Sequence, residues 1–224
     1  MRPPFHTERH AALWAHVGPT VPTDELAHDR WHIERVYRWS VHLARSHGVD
    51  PDLAGAAALV HDLVPIPKDH ADRPLGGERS AAAAGPLLDA AGYTADEQAV
   101  VLDAVRTSSW SRGLPPNSGV GAVLQDADRL DAIGVIGAAR CFATAQHMAP
   151  RAAGRASFHH PDDPVALTER ALDDRHHAVD HFRRKLLLLA GTLHTETARR
   201  EGSRRHEALL ALLDAYALDT VAPG

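Results

Sequence analysis

Apolar residues recur along this chain at the three- and four-residue intervals of helices. Between Leu26 and His47 they fall at Leu26, Ile33, Val36, Tyr37, Val41 and Leu43, a spacing that suits a helix and not a strand. Thr23-Asp24-Glu25 offers a side-chain acceptor and early acids to start it, with a break compatible near His28-Asp29, and Gly48 supplies a stop. Asp50-Pro51 then reads as a cap followed by proline at the first helical position. From Leu53 to His61 nearly every residue is small or apolar, which predicts a helix buried on most sides and ended by Pro65 and Pro67. Beyond the loop PIPKDHADRPLGG, helices are expected over about Glu78–Ala91 and Thr94–Thr107, the second opened by a Thr94/Glu97 capping box. After the loop SSWSRGLPPNSG, one long helix is expected from about Val120 to His147. Gly134 and Gly137 inside it cost about 1 kcal/mol each relative to Ala, which predicts close approach of another helix backbone. A linker from Pro150 to Pro164 leads to two further helices, about Pro164–Ala190 and Thr192–Ala217, hinged at Gly191. A short helix around Ala11–Val17 precedes them all. No alternating run of β-branched residues exists, so the expected fold class is all-α.

Composition narrows the function classes. The 224 residues are compatible with one large domain or two small ones, and a net charge of −5 disfavours nucleic acid as a partner. The basic triplets Arg183–Lys185 and Arg204–His206 are short and read as solvated helix faces. The single cysteine, Cys141, excludes an intrachain disulfide and a CxxC zinc ribbon, and reads as a buried small hydrophobe. No apolar run is long enough to span a membrane and no signal-peptide core is present, so a soluble, cytoplasmic protein without a membrane partner is expected. Oligomeric state is not encoded in any readable pattern.

The chemistry gathers around LVHDLV. His61 and Asp62 lie side by side at the end of the alanine-rich helix. Adjacent helical side chains diverge by about 100°, so both reach one cation only if it sits at the edge between them. Imidazole nitrogen and carboxylate oxygen together suit a divalent transition metal. In QDADRLDA, Asp126 and Asp128 are two positions apart, about 200° around the axis, and cannot both face one ion. Asp128 and Asp131 share a face, one as a ligand and the other as an outer partner; Asp126 is expected to be comparatively dispensable. His28 and His32 are one turn apart, and His32, preceding Ile33 and Val36, is the better placed to be a ligand.

His32, then His61-Asp62, then Asp128, separated by helices, resemble the H…HD…D signature of the HD-domain metal-dependent phosphohydrolase superfamily. More narrowly, HDRWHIERV, LVHDLVPIPKDHADR, LQDADRLDAIGVIGAAR and the late HFRRKLLLL resemble the small single-domain bacterial branch. The likeness runs from about residue 24 to about residue 215. It implies a single-domain HD-type helical bundle with a C-terminal helical pair packed on the core: residues 23–217, with 1–22 an extension or short helix and 218–224 a tail. It also implies one divalent metal (manganese, iron, cobalt, nickel or zinc) held by His32, His61, Asp62 and Asp128. The activity implied is cleavage of a phosphomonoester or pyrophosphate bond in a small phosphorylated metabolite, a nucleotide above all, by metal-activated water.

Phosphoryl transfer rests on positioning and charge neutralisation, so Lys68, His70 and Arg73 are the expected substrate-binding residues, with Arg35 and Arg129 weaker candidates. Asp62 and Asp131 are the candidate catalytic carboxylates, Asp131 as a first choice of general base. The chain departs from the branch at Ser108, where a histidine is usual. It departs again at Val120, where an acid is usual, at Asp69 in place of asparagine, and at Gly76 and Gly77 in place of serines. These departures motivate an alternative, a non-catalytic HD protein that binds metal or ligand. A di-iron oxygenase on the same scaffold would need further histidines between His61 and Asp128, where only His70 stands. Val64-Pro65 stands where guanosine tetraphosphate hydrolases carry Glu-Asp.

Overall fold

Helix starts are written in side chains that accept backbone N–H groups. A computed structural model describes residues 5–66, 70–148 and 156–220, and divides the chain into two compact units. The first unit comprises Met1–Thr23, His28–Asp128 and His194–Ala198; the second comprises Asp24–Ala27, Arg129–Leu193 and Arg199–Gly224. No strand occurs among the described residues, only two isolated bridges, and the fold is all-α as expected. No helix among them is long and apolar enough to cross a membrane.

In the first unit, Thr7 caps α1 (Glu8–Val17). Helix α2 spans Arg30–Ser46 and starts later than expected. The Asp29 carboxylate accepts from the N–H groups of Trp31 and His32, both at 3.0 Å, which fixes the start there and leaves Thr23–Glu25 outside any helix. Helix α3 (Pro51–Val60) has the expected Asp50 cap, and Ala54 through Val60 are all buried. Its small side chains let α1, α2, α4 (Gly76–Ala90) and α5 (Ala95–Thr107) all pack against it. Where α1 crosses α3, a Cβ on Gly55 would lie 2.3 Å from the His10 ring. His10 is fully buried, with Nδ1 2.9 Å from the Tyr37 hydroxyl and Nε2 2.8 Å from the Asp52 carbonyl. Arg9 and Thr7 both donate to the Asp52 carboxylate, so α1 is clamped onto the first turn of α3. Helix α5 carries the expected capping box between Thr94 and Glu97. Helix α6 runs Gly119–Asp131, and its first ten residues complete this unit's core with Val123, Leu124 and Ala127.

In the second unit two expectations are corrected. The helix expected over Val120–His147 is two, because α6 ends at Asp131 and α7 spans Gly134–Met148. Gly134 turns the chain between them at φ +76°, a conformation that strains any other residue. A Cβ on Gly137 would fall 2.2 Å from the Ala132 carbonyl oxygen, so the close approach comes from the chain's own turn and not from another helix. Arg140 on α7 pairs with Asp131 at 2.9 Å and donates to the Ala27 carbonyl at 2.6 Å.

The helix expected over Pro164–Ala190 is irregular up to His181. The Asp163 carboxylate accepts from the N–H groups of Leu167 and Thr168, replacing helical bonds with a local turn, and Ala166 takes φ +55°. Arg170 then forks onto buried Asp180 at 2.5 and 2.6 Å and onto Asp163 at 2.9 Å. A π turn over Phe182–Leu186 runs into the short α8 (Leu187–Leu189) and the 3₁₀ turn Ala190–Thr192. Phe142 on α7 gathers Phe158, Phe182 and Tyr216 into an aromatic cluster, Tyr216 coming from α9 (Glu196–Asp219).

Candidate metal centre

Three helices of the first unit present the site. His32 comes from the first turn of α2, where the Asp29 cap fixes its backbone, and its ring is buried. His61 is the C-cap residue of α3, and Asp62 follows as the chain turns away. Asp128 comes from α6. One ligand atom each from His32, His61 and Asp128 lie within 4.8 Å of one another. The His32 Nε2 stands 3.8 Å from an Asp128 oxygen and 3.9 Å from an Asp62 oxygen. A first-row ion with ligands at about 2.1 Å holds its ligand atoms roughly 3.0–4.2 Å apart, the range of both separations. Of the four expected ligands, His32, His61 and Asp128 thus form one group, and Asp62 lies beside His32.

His61 shows how the set fits a cation. Its Nδ1 lies 2.8 Å from the Ala58 carbonyl, which can only accept, so Nδ1 carries the proton. Its Nε2 is left as a lone pair, buried and without a hydrogen-bond partner among the described residues. An imidazole whose inner nitrogen is tied to a carbonyl and whose outer nitrogen is bare is oriented as a metal ligand is. Both imidazoles are buried, whereas the Asp62 and Asp128 side chains are each one-third exposed, so the cluster opens to solvent on its carboxylate side. Burial opposes ionisation of Asp62. The combined pull of His61, His32, His28 and Arg73 outweighs it and holds the carboxyl well below the usual carboxylate range.

The other candidates fall in different places. His28 packs edge-on against the His32 ring at 5.9 Å and lines a cleft with Asp62, Ile33 and Leu63. Arg73 donates to the Ile66 carbonyl at 2.6 Å and contributes to the field on Asp62. His70 is exposed, with Nδ1 accepting from the Asp72 N–H. Lys68 and Asp69 lie outside the described residues. Arg35, three positions after His32, is half-buried, and Arg129 donates to the Thr192 carbonyl at 2.5 Å. Asp131 is buried against Arg140, which makes it an anchor for α7 and a poor choice of general base.

Asp126, expected to be comparatively dispensable, is instead woven into the fold. It is fully buried and accepts from His194 N–H at 2.7 Å, Thr195 N–H at 2.8 Å and the Thr195 hydroxyl at 2.7 Å. Thr195 in turn accepts from Ala198 N–H in the first turn of α9. Neighbouring Gln125, also fully buried, donates to the Thr107 and Leu114 carbonyls and meets the His194 ring at 2.9 Å. Asp126 contributes no atom to the cluster, yet it is built into the fold. Its signal was available: a carboxylate on the apolar side of a helix needs buried donors. At the departures, Ser108 turns its hydroxyl onto the Val105 carbonyl at 2.9 Å, and Val120 is buried in the first turn of α6.

The HD-domain family model matches residues 31–133, the stretch that contains His32, His61, Asp62 and Asp128. The chain is 31% identical over 196 residues to Bacillus subtilis YpgQ, named as an uncharacterized protein, covering 85% of this chain and 84% of that one. Among solved structures, a Lactobacillus plantarum protein superposes with a TM-score of 0.74 at 27% identity, covering 96% of this chain and 98% of its own. B. subtilis YpgQ in complex with ADP gives a TM-score of 0.69 at 28% identity, with 97% and 96% covered. An HD-superfamily hydrolase from Bacillus thuringiensis gives 0.69 at 26% identity, with 95% and 96% covered.

Proposed function

Because the chain belongs to the HD-domain superfamily, we propose that it is a divalent-metal-dependent phosphohydrolase cleaving a phosphomonoester or pyrophosphate bond of a small phosphorylated metabolite. The observation that carries this reading is the bare, buried Nε2 of His61 beside the His32 imidazole and the Asp128 carboxylate. When bound, a divalent metal supplies charge neutralisation for a phosphoryl oxygen and lowers the pKa of its water. The chain itself holds the His61 imidazole in one tautomer and leaves the carboxylate side open for substrate. Arg73, held near Asp62, is the described cation best placed to steady a phosphate. A nucleotide is the favoured substrate class, supported by the relative crystallised with ADP.

The test is a screen of the purified protein, supplemented in turn with manganese, iron, cobalt, nickel and zinc, against nucleotides, sugar phosphates and polyphosphate. About one metal per chain and release of phosphate or pyrophosphate are expected, both abolished in His61→Ala. Metal binding without turnover on any substrate would replace this reading with a non-catalytic binding role. No metal binding at all would refute it.

A further inference from the structure

The His61-Asp62 pair sits where α3 has ended, so no helical ladder holds the residues that follow it. Beyond Asp62 the N–H of Val64 finds its acceptor on another element: the Ser80 hydroxyl of α4, at 3.2 Å. Ser80 is 1% exposed, so its hydroxyl is shielded from water. How deep α4 carries that hydroxyl is set one turn earlier on the same helix. A Cβ on Gly77 would lie 2.9 Å from the Arg106 carbonyl oxygen and 3.1 Å from that of Val105, at the end of α5. Glycine at that position lets α4 sit against the last carbonyls of α5, and Ser80 on the same face then reaches the turn.

We propose that Ser80 is a positioning residue for the metal centre: its hydroxyl pins the turn that aims the Asp62 carboxylate at the ion, with Gly77 fixing the depth of α4. This rests on the reading of His32, His61, Asp62 and Asp128 as a metal site. It adds a residue that touches neither metal nor substrate. Geometry within about 0.5 Å decides whether such a carboxylate binds, and the Ser80 bond is the one that fixes the backbone two residues past Asp62.

The test is manganese titration of the full-length protein by calorimetry, comparing wild type with Ser80→Ala. Deleting one small hydroxyl leaves the helices intact, so circular dichroism serves as the folding control. Manganese affinity is expected to fall about 10-fold or more, the usual cost of losing an outer partner. The manganese concentration for half-maximal activity should rise by the same factor while kcat at saturating manganese changes little. A purely structural role would lower the melting temperature and leave the affinity of the folded protein unchanged, and that result would overturn the proposal. Wild type failing to bind manganese would instead refute the metal site itself, so the two failures are distinguishable. Gly77→Ala supplies a second arm, expected to weaken manganese binding in the same direction by lifting α4 from α5. Unaltered affinity in a folded Gly77→Ala protein would overturn the role given to α4 depth.

Discussion

Replacing Asp126 and Asp128 in turn by alanine should produce opposite phenotypes, although the two acids stand one residue apart. Asp126→Ala removes three charge-assisted hydrogen bonds and leaves the N–H groups of His194 and Thr195 without their acceptor. Each stranded, partly buried donor costs about 1–3 kcal/mol. Loss of support for the Thr195 cap of α9 adds to this, for a total of about 2–4 kcal/mol. For a chain of this length each kcal/mol lowers the melting temperature by roughly 2–4 °C, so a fall of about 8 °C is expected. Manganese affinity of the folded fraction should change little, because Asp126 contributes no atom to the cluster. Asp128→Ala removes a carboxylate that is one-third exposed. Stability should move by less than about 0.5 kcal/mol, as at ordinary exposed positions. Manganese affinity should drop beyond the 10–100-fold typical of outer partners. Differential scanning fluorimetry and calorimetric titration read the two axes separately. An Asp126→Ala protein that melts like wild type, or an Asp128→Ala protein that still binds manganese tightly, would refute the division of labour.

Other expectations follow from the same structure. Arg170→Ala strands the fully buried Asp180 and should destabilise by about 3–5 kcal/mol, read as a lower urea midpoint, with Asp180→Ala less severe when combined with it. Gly134→Ala should cost about 1–2 kcal/mol, since φ +76° strains alanine and its Cβ meets the Arg205 side chain at 3.1 Å. Arg204 and Arg205 pull Glu201 down to about 2, so its contribution is complete above the unfolded value near 4.3 and is lost as pH falls towards 2. Glu201→Gln should therefore flatten the melting temperature between roughly pH 4.5 and pH 2.5 while matching wild type at the acid end. His61→Ala should keep the helical circular dichroism and abolish both metal binding and hydrolysis.

Local signals that act within one turn were legible from residues alone. The Asp50-Pro51 start of α3, the Thr94/Glu97 box and the His61-Asp62 position at a helix end all follow from neighbours in the chain. What was not legible depends on partners far along it. Asp126 takes its donors from residues 68 and 69 positions away, and helical angle alone says only what it does not face. Asp131 shares a face with Asp128 by spacing, yet the helix stops there and Arg140 claims the carboxylate. Residues 164–181 carry enough apolar positions to read as a helix. Asp163 takes the N–H groups of Leu167 and Thr168, and the buried Arg170 fork outweighs the periodicity. Composition at Gly134 points to packing, whereas the reason for glycine there is its backbone angle, which leaves no trace in composition.

The alanine run of α3 has a consequence for how this protein tolerates change. Seven consecutive residues, Ala54 to Val60, are walled in on every side, so that segment has no outward face into which a larger group could turn. Enlarging any of its alanines displaces a neighbouring helix at a cost of about 1–3 kcal/mol, whichever side it points to. A saturation scan should show an unbroken intolerant block over these positions, without the alternation of permissive and forbidden sites that half-exposed helices give. Drift in sequence would then be pushed outward, leaving the helix that ends in the His-Asp pair as the slowest-changing part of the molecule.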